Sequence, residues 1–277
     1  MSLNEETKPG DARCPDHPST KELIKNDKGG APKPLLEESY NFLGDEDIPY
    51  ERYTSEKFAR AEDEHMWSKV WQWACREEHI PEPGDYYVYD VGDRSAIIVR
   101  TEDNEIKVYY NSCLHRGTQL KPANSSGFCK ELKCPFHGWS WSLKGELEFL
   151  PCDWDFPHVN KEEFSLPEIK FDIWCGFIFI NFDENAKPLD EYLGVLPRHF
   201  ENWKLEDRYI ETHVIKKLPA NWKVSAEAFL EAYHVLETHS EGVYTAGDAN
   251  ADYDIFSMHA EFIATKDSLA SEPVQGQ

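Results

Sequence analysis

From residue 85 to 111 apolar and polar side chains alternate, and YYVYDV, AIIVR and IKVYYN read as β-strands separated by turn clusters at Gly92-Asp93 and Asp103-Asn104. Short strand-like runs follow at 129–134, 139–143 and 148–150, which makes a compact all-β unit with two projecting loops. FDIWCGFIFINFD (171–183) reads as a strand pair or one long strand, 209–217 as a further strand, and IFSMHAEFIAT (255–265) as strand-like. Helical spacing appears over 55–78, with Phe58, Ala61, Met66, Val70 and Trp71 on the apolar face, and again over 188–203. The most helix-like segment is NWKVSAEAFLEAYHVLETHS (221–240), with few β-branched residues, no internal Gly or Pro, and a Ser-Glu-Gly stop. Residues 1–45 are polar and interrupted by Pro9-Gly10, Gly29-Gly30, Pro32 and Pro34. They read as an N-terminal arm, partly disordered or laid on a neighbouring subunit.

Composition narrows the class. The 277 residues are 40% hydrophobic, 29% charged and 13% aromatic, a mix that can bury a core. The longest nearly apolar run, 171–182, falls short of the ~20 residues a membrane span needs, and the start, MSLNEETKPGDAR, has no apolar signal core. A cytoplasmic protein with no membrane partner is expected. The formal charge of −23 argues against nucleic acid, whose phosphates call for a basic footprint. A local basic group, Arg116, Lys121, Lys130, Lys133 and Lys144, reads either as solvated surface or as a docking site for an acidic electron donor. Seven cysteines without regular spacing speak against a disulfide framework and for a reduced compartment with metal-bound thiolates. Cys175 sits in an apolar run and is expected in the core.

Two of those thiols carry chemistry. Cys113-Leu-His115 and Cys134-Pro-Phe-His137 are separated by eighteen residues, and each half offers one thiolate and one imidazole from a loop between strands. A [2Fe–2S] cluster with two cysteines on one iron and two histidines on the other needs this distribution. Two Cys and two His can also hold zinc, but zinc halves usually group like with like, whereas each half here is mixed. The flanking HRG and HGW suit tight loops with close backbone approach.

A second group lies in 221–240, where Glu227, Glu231 and His234 fall on one face of a regular helix. Acidic groups and a histidine on an otherwise apolar, buried helix need a partner, and a metal would supply one. His239 is five residues beyond His234, about 140° away at ~100° per residue, so a shared metal requires the helix to bend or end between them. On spacing alone the pair is a weak metal motif, and a satisfied core histidine with a surface histidine is the simpler reading. Asp248, Asp252 and Asp254 read as a solvated loop.

CLHRG…CPFHGW, preceded by PGDYYVYDVGDRSAIIVR and followed by WCGFIFINFDENAKPLDEYLG, resembles the Rieske domain of the α subunits of bacterial aromatic-ring-hydroxylating oxygenases, over most of the chain from about residue 46. The resemblance implies an α+β architecture: an N-terminal arm (1–45), an all-β Rieske [2Fe–2S] domain with preceding helices (46–180), and the first part of a helix-grip-like catalytic domain (181–277). It maps Cys113, His115, Cys134 and His137 onto the cluster ligands, and His234 and His239 onto the ligands of a mononuclear Fe(II). Glu231 falls where many members carry an Asp bridging the two centres, and some carnitine-monooxygenase-like members have Glu. The segment is one residue shorter than the dioxygenase pattern just before Glu231, and the Asn found near the iron in dioxygenases has Ala228 in its place. The family's carboxylate ligand comes from a helix far downstream, expected beyond Gln277, so the chain reads as truncated. The function implied is mono- or dioxygenation, or demethylation, of a small organic, aromatic substrate with O₂. Electrons would come from NAD(P)H through a separate reductase or ferredoxin, in an α₃ or α₃β₃ assembly. The alternatives are a Rieske-type electron carrier without oxygenase activity and a zinc-stabilised binding module.

Overall fold

The computed structural model describes residues 20–39, 43–44, 46–231, 233–238, 252–256 and 259–263. The chain divides into two compact units. One comprises Glu56–Gly194 with Trp203–Val214, and the other comprises Met1–Ser55, Val195–Asn202 and Ile215–Gln277.

The first unit is built on three antiparallel sheets. The strands are β1 (Gln72–Arg76), β2 (Asp85–Val91), β3 (Arg94–Arg100), β4 (Ile106–Tyr110), β5 (Ser126–Phe128), β6 (Leu132–Lys133), β7 (Ser140–Trp141), β8 (Leu147–Phe149), β9 (Lys170–Trp174) and β10 (Phe177–Asn181). They assemble in the orders β4-β3-β2-β5, β6-β7-β8 and β1-β10-β9. The four-stranded sheet carries a core on each face. Side chains alternate along a strand, so Ile97, Val99 and Tyr109 pack towards Leu132, Trp139, Trp141 and Leu147, while Ala96, Ile98 and Val108 pack towards Ala74, Cys75, Ile178 and Ile180. This is why β3 is an unbroken apolar run: both of its faces are buried. Ile97 and Ile98 are each wholly inaccessible, and full burial of such a side chain contributes about 1.5–3 kcal/mol.

Several expectations are corrected. The helix predicted over 55–78 is confined to Glu56–Glu62 and a single wide turn, Asp63–Trp67. The remainder becomes β1, because Gln72, Ala74 and Cys75 bury against β10 and a bulge between Trp73 and Cys75 fits the register. FDIWCGFIFINFD is a strand pair, one of the two expected forms: a hairpin of β9 and β10 whose two-residue turn, Cys175-Gly176, has φ of +50° and +78°, as primed hairpin turns require. Cys175 is therefore a half-buried turn residue and not a core residue. The stretch 188–203 breaks into Leu189–Leu193, Leu196–His199 and a 3₁₀ turn at Glu201–Trp203. Residues 209–217 form no strand in the described structure.

In the second unit, the helix predicted over 221–240 is interrupted. It forms at Trp222–Glu227 and again at Val235–Thr238. Phe229 N–H and Leu230 N–H donate to Ala226 and Glu227 carbonyls three residues back, which tightens and ends the first helix. Phe229 and Tyr233 are 82% and 80% exposed, and Trp222, Val224 and Leu230 are exposed as well, so these apolar positions do not enter a core. Asp252 and Asp254 lie in β11 (Asp252–Phe256), paired with β12 (His259–Ile263), and not in a loop. Asp248, Cys14 and about half of the N-terminal arm lie outside the described residues; within the arm, Thr20–Lys25 is helical and Lys33–Leu36 is a 3₁₀ turn.

Candidate metal centre

Two loops of the first unit repeat one backbone pattern. Gly117 N–H donates to Cys113 O at 2.8 Å and Cys113 N–H to Thr118 O at 2.8 Å; Gly138 N–H donates to Cys134 O at 3.1 Å and Cys134 N–H to Trp139 O at 2.8 Å. Each loop closes four residues after its cysteine on a glycine in the left-handed region, φ +77° at Gly117 and +78° at Gly138, where a side chain is disfavoured. This is the physical reason for HRG and HGW.

The loops bring their ligand candidates together in pairs. His115 Nδ1 and His137 Nδ1 are 3.1 Å apart, and their ring centroids 4.7 Å. Two nitrogens bound to one metal at about 2.0–2.1 Å lie about 3.0 Å apart at a right angle and about 3.4 Å at the tetrahedral angle, so both Nδ1 atoms fit one metal. Cys113 and Cys134 are buried, and each thiol influences the other's ionisation. Burial pushes the Cys113 thiol up, against N–H donors from His115 and Arg116. Burial acts most strongly on Cys134 too, but the His137 and Phe136 N–H groups, together with the Cys113 and Thr118 side chains, outweigh it and lower that thiol's pKa. Backbone donors aimed at both sulfurs are suited to thiolates. Among the described residues no three His, Cys, Asp or Glu side chains are placed to share one metal ion. A thiol pair and an imidazole pair suit two irons joined by sulfide; a single zinc would need all four about one point.

The imidazoles stand at the rim, with His137 exposed and His115 half-buried. Burial lowers the His115 pKa, and His137 and Arg116 lower it further, which favours the neutral form whose lone pair binds metal. Trp139, only 2% exposed, stacks on His115 with centroids 5.2 Å apart and planes 5° from parallel. Phe156 meets Trp139 edge-on at 5.6 Å. The sequence reading had no role for either ring; the Trp directly after the second loop's glycine was the available signal. In the basic group, Lys133 and Lys144 are ion-paired with Glu131 and Asp103, and Lys121 lies over Tyr86 at 4.9 Å.

The second constellation divides. Glu227 accepts from Tyr53 Oη at 2.9 Å and pairs with Arg52 at 3.5 Å. Glu231 instead holds His234, accepting from its backbone N–H at 3.0 Å and facing Nδ1 at 2.5 Å. These contacts, the backbone one first, lower the Glu231 pKa. Because the helix is interrupted, Glu227 and Glu231 do not share the face that regular spacing predicts. His239 lies outside the described residues.

Fold and paired loops define an iron–sulfur protein of the Rieske type, and comparison with known proteins agrees. Residues 70–160 match the Rieske [2Fe-2S] domain and residues 197–273 the ring hydroxylating alpha subunit (catalytic domain). The chain therefore carries a Rieske [2Fe-2S] domain and a stretch matching the catalytic domain of ring-hydroxylating alpha subunits. It is 33% identical over 199 residues to benzene 1,2-dioxygenase subunit alpha of Pseudomonas putida, covering 69% of this chain and 44% of that protein. With the carnitine monooxygenase oxygenase subunit of Acinetobacter pittii identity is 32% over 194 residues, covering 68% and 51%. The crystal structure of a quaternary ammonium Rieske monooxygenase with its substrate L-carnitine superposes with a TM-score of 0.64 at 28% identity, over 70% of this chain and 55% of that one. Naphthalene 1,2-dioxygenase from Rhodococcus sp. bound to indole gives 0.62 at 30%, over 70% and 46%. The chain thus spans about half the length of the curated relatives it matches. Among the described residues no helix is long and apolar enough to cross a membrane.

Proposed function

We propose that this chain is the oxygenase component of a multicomponent, cytoplasmic Rieske system that hydroxylates or demethylates a small organic, aromatic substrate with O₂, fed by a reductase or ferredoxin. The observation that carries this reading is the 3.1 Å approach of two Nδ1 atoms beside a buried thiol pair. The domain boundaries we adopt are 1–45, 46–180 and 181–277. The ligand set is Cys113, His115, Cys134 and His137 for the cluster, and His234 with His239 for mononuclear iron.

The cluster supplies one-electron transfer at a potential that neutral imidazoles raise to roughly −150 to +300 mV, against about −400 mV for all-cysteine plant-type centres. The thiols keep the sulfur end dry inside the core, while His115 and His137 turn their outer edges to the surface, where an electron partner reaches them. Trp139 and Phe156 wall one side of His115 and limit water there. Iron held by His234 and His239 would supply O₂ activation. Glu231, by accepting a hydrogen bond from His234 Nδ1, would fix the ring so that Nε2 is free to hold the iron. In a trimer Glu231 would also accept from the partner subunit's His137, joining one cluster to the neighbouring iron.

The test is metal content together with spectroscopy on the purified chain. Two irons and two acid-labile sulfides with a Rieske-type EPR signal on reduction are expected, plus further iron that is lost in His234→Ala. A zinc-only protein without sulfide overturns the reading. Cluster iron alone, unchanged by His234→Ala, leaves the electron-carrier alternative.

A further inference from the structure

Away from the ligand loops, the first unit has a second pair of imidazoles in contact. His79 ends the 3₁₀ turn Glu77–His79 after β1, and His213 lies 134 positions later in the same unit. Their facing nitrogens, His79 Nε2 and His213 Nδ1, are 3.5 Å apart, with ring planes 82° from parallel. Both line a cleft of about 660 Å³ between β1, β2 and residues 209–213.

The distance is long for a hydrogen bond, since N–H donors usually approach to 2.7–3.2 Å. It is close to the about 3.4 Å that separates two imidazole nitrogens on one tetrahedral ion. His79 is also held on its far side, where Arg76 N–H donates to its Nδ1 at 3.1 Å and Arg76 O lies 3.2 Å from the same nitrogen. Burial first, and then His213, lowers the His79 pKa, so the neutral ring prevails near neutrality.

The surrounding charge also suits a cation. The charged side chains lining the cleft are Asp90 and Glu211 against Arg76. Arg76 is engaged elsewhere, with Glu78 at 3.1 Å, Arg208 O at 2.7 Å and the Phe177 ring at 4.4 Å. Glu211 and His213 line the same cleft. We propose that His79 and His213 form a two-imidazole binding site for a divalent transition-metal ion of the zinc, nickel and copper class, distinct from the cluster and from the His234 site. Imidazole favours those ions over magnesium or calcium. The ion's remaining positions open on the cleft, and its effect is to fasten residues 209–213 to β1.

Zinc titration calorimetry on the cluster-loaded chain, in chelator-free buffer, tests this. One class of zinc site should weaken at least about tenfold in His79→Ala and in His213→Gln, and persist in His234→Ala. Zinc should raise the thermal midpoint of the parent chain, and this shift should vanish in His213→Gln. His213 is exposed, so His213→Gln should keep the cluster absorbance and decides the matter even if His79→Ala folds poorly. Unchanged zinc binding in His213→Gln, or no zinc site surviving in His234→Ala, overturns the proposal.

Discussion

The two ligand loops rest on glycines, and Gly138 allows the cost of losing one to be worked out. A Cβ at Gly138 would find Pro151 Cγ at 3.7 Å and Lys133 Cε at 3.9 Å, ordinary contacts. The penalty of Gly138→Ala is therefore conformational only. Holding an L-residue near φ +78° costs about 1–2 kcal/mol, offset by about 0.4–1 kcal/mol because alanine restricts the unfolded chain. The net is about 1 kcal/mol, which lowers the midpoint of a unit this size by about 2–4 °C. Gly145 supplies the contrast. At a similar φ of +83°, its Cβ would lie 2.7 Å from Tyr109 Cε1. That ring is fully buried and donates its hydroxyl to Leu143 O at 3.2 Å, so it cannot give way. Gly145→Ala should cost clearly more than Gly138→Ala. Gly138→Asn should fall below both, since asparagine tolerates this region. Denaturant unfolding followed by circular dichroism gives the energies, and cluster absorbance on ageing shows whether the loop still holds its ligands. Equal losses at Gly138→Ala and Gly145→Ala, or Gly138→Asn the worst of the three, would refute the argument that backbone conformation alone sets the cost at the ligand loop.

Other outcomes follow from the same geometry. His115→Ala and His137→Ala should each abolish the reduced-state EPR signal, and a variant that keeps it would remove that residue from the ligand set. Trp139→Leu deletes the face stacked on His115 and part of a buried ring, so a loss of about 1–3 kcal/mol and faster cluster bleaching in air are expected; an unchanged bleaching rate argues that the stack does not shield the site. Glu231→Gln should retain the cluster yet slow cluster oxidation in single-turnover kinetics, and normal oxidation would exclude the bridging role. Burial pushes Cys75 from the usual 9.0 up to about 12. The folded thiol stays neutral while the unfolded one ionises, so this contribution to stability is complete below pH 9 and disappears as pH rises towards about 12. Cys75→Ala should flatten the alkaline decline measured by denaturation at pH 8 and pH 10, and an identical slope would contradict it.

Much of the site was legible in the chain itself. The mixed Cys-x-His and Cys-x-x-His halves already separate a cluster from a zinc finger, because ligand type and loop placement are local properties. Strands β2, β3 and β4 were equally readable, since period-two alternation and the intervening turn residues are also local. Other features depended on neighbours. Residues 72–76 have a composition compatible with helix, and only the β10 edge, with its unpaired backbone groups, made them a strand. The stretch 221–240 has high helical propensity throughout, yet its apolar residues find no core among the described residues, and propensity without burial did not hold one continuous helix. Side-chain distances lie furthest from the sequence: nothing in the spacing of His79 and His213, or of His115 and His137, states that their nitrogens meet at 3.5 and 3.1 Å. Sequence thus determined which chemical groups are present and which short loops carry them. The tertiary structure decided which of those groups face one another, because that depends on sheet pairing and packing between positions far apart in the chain.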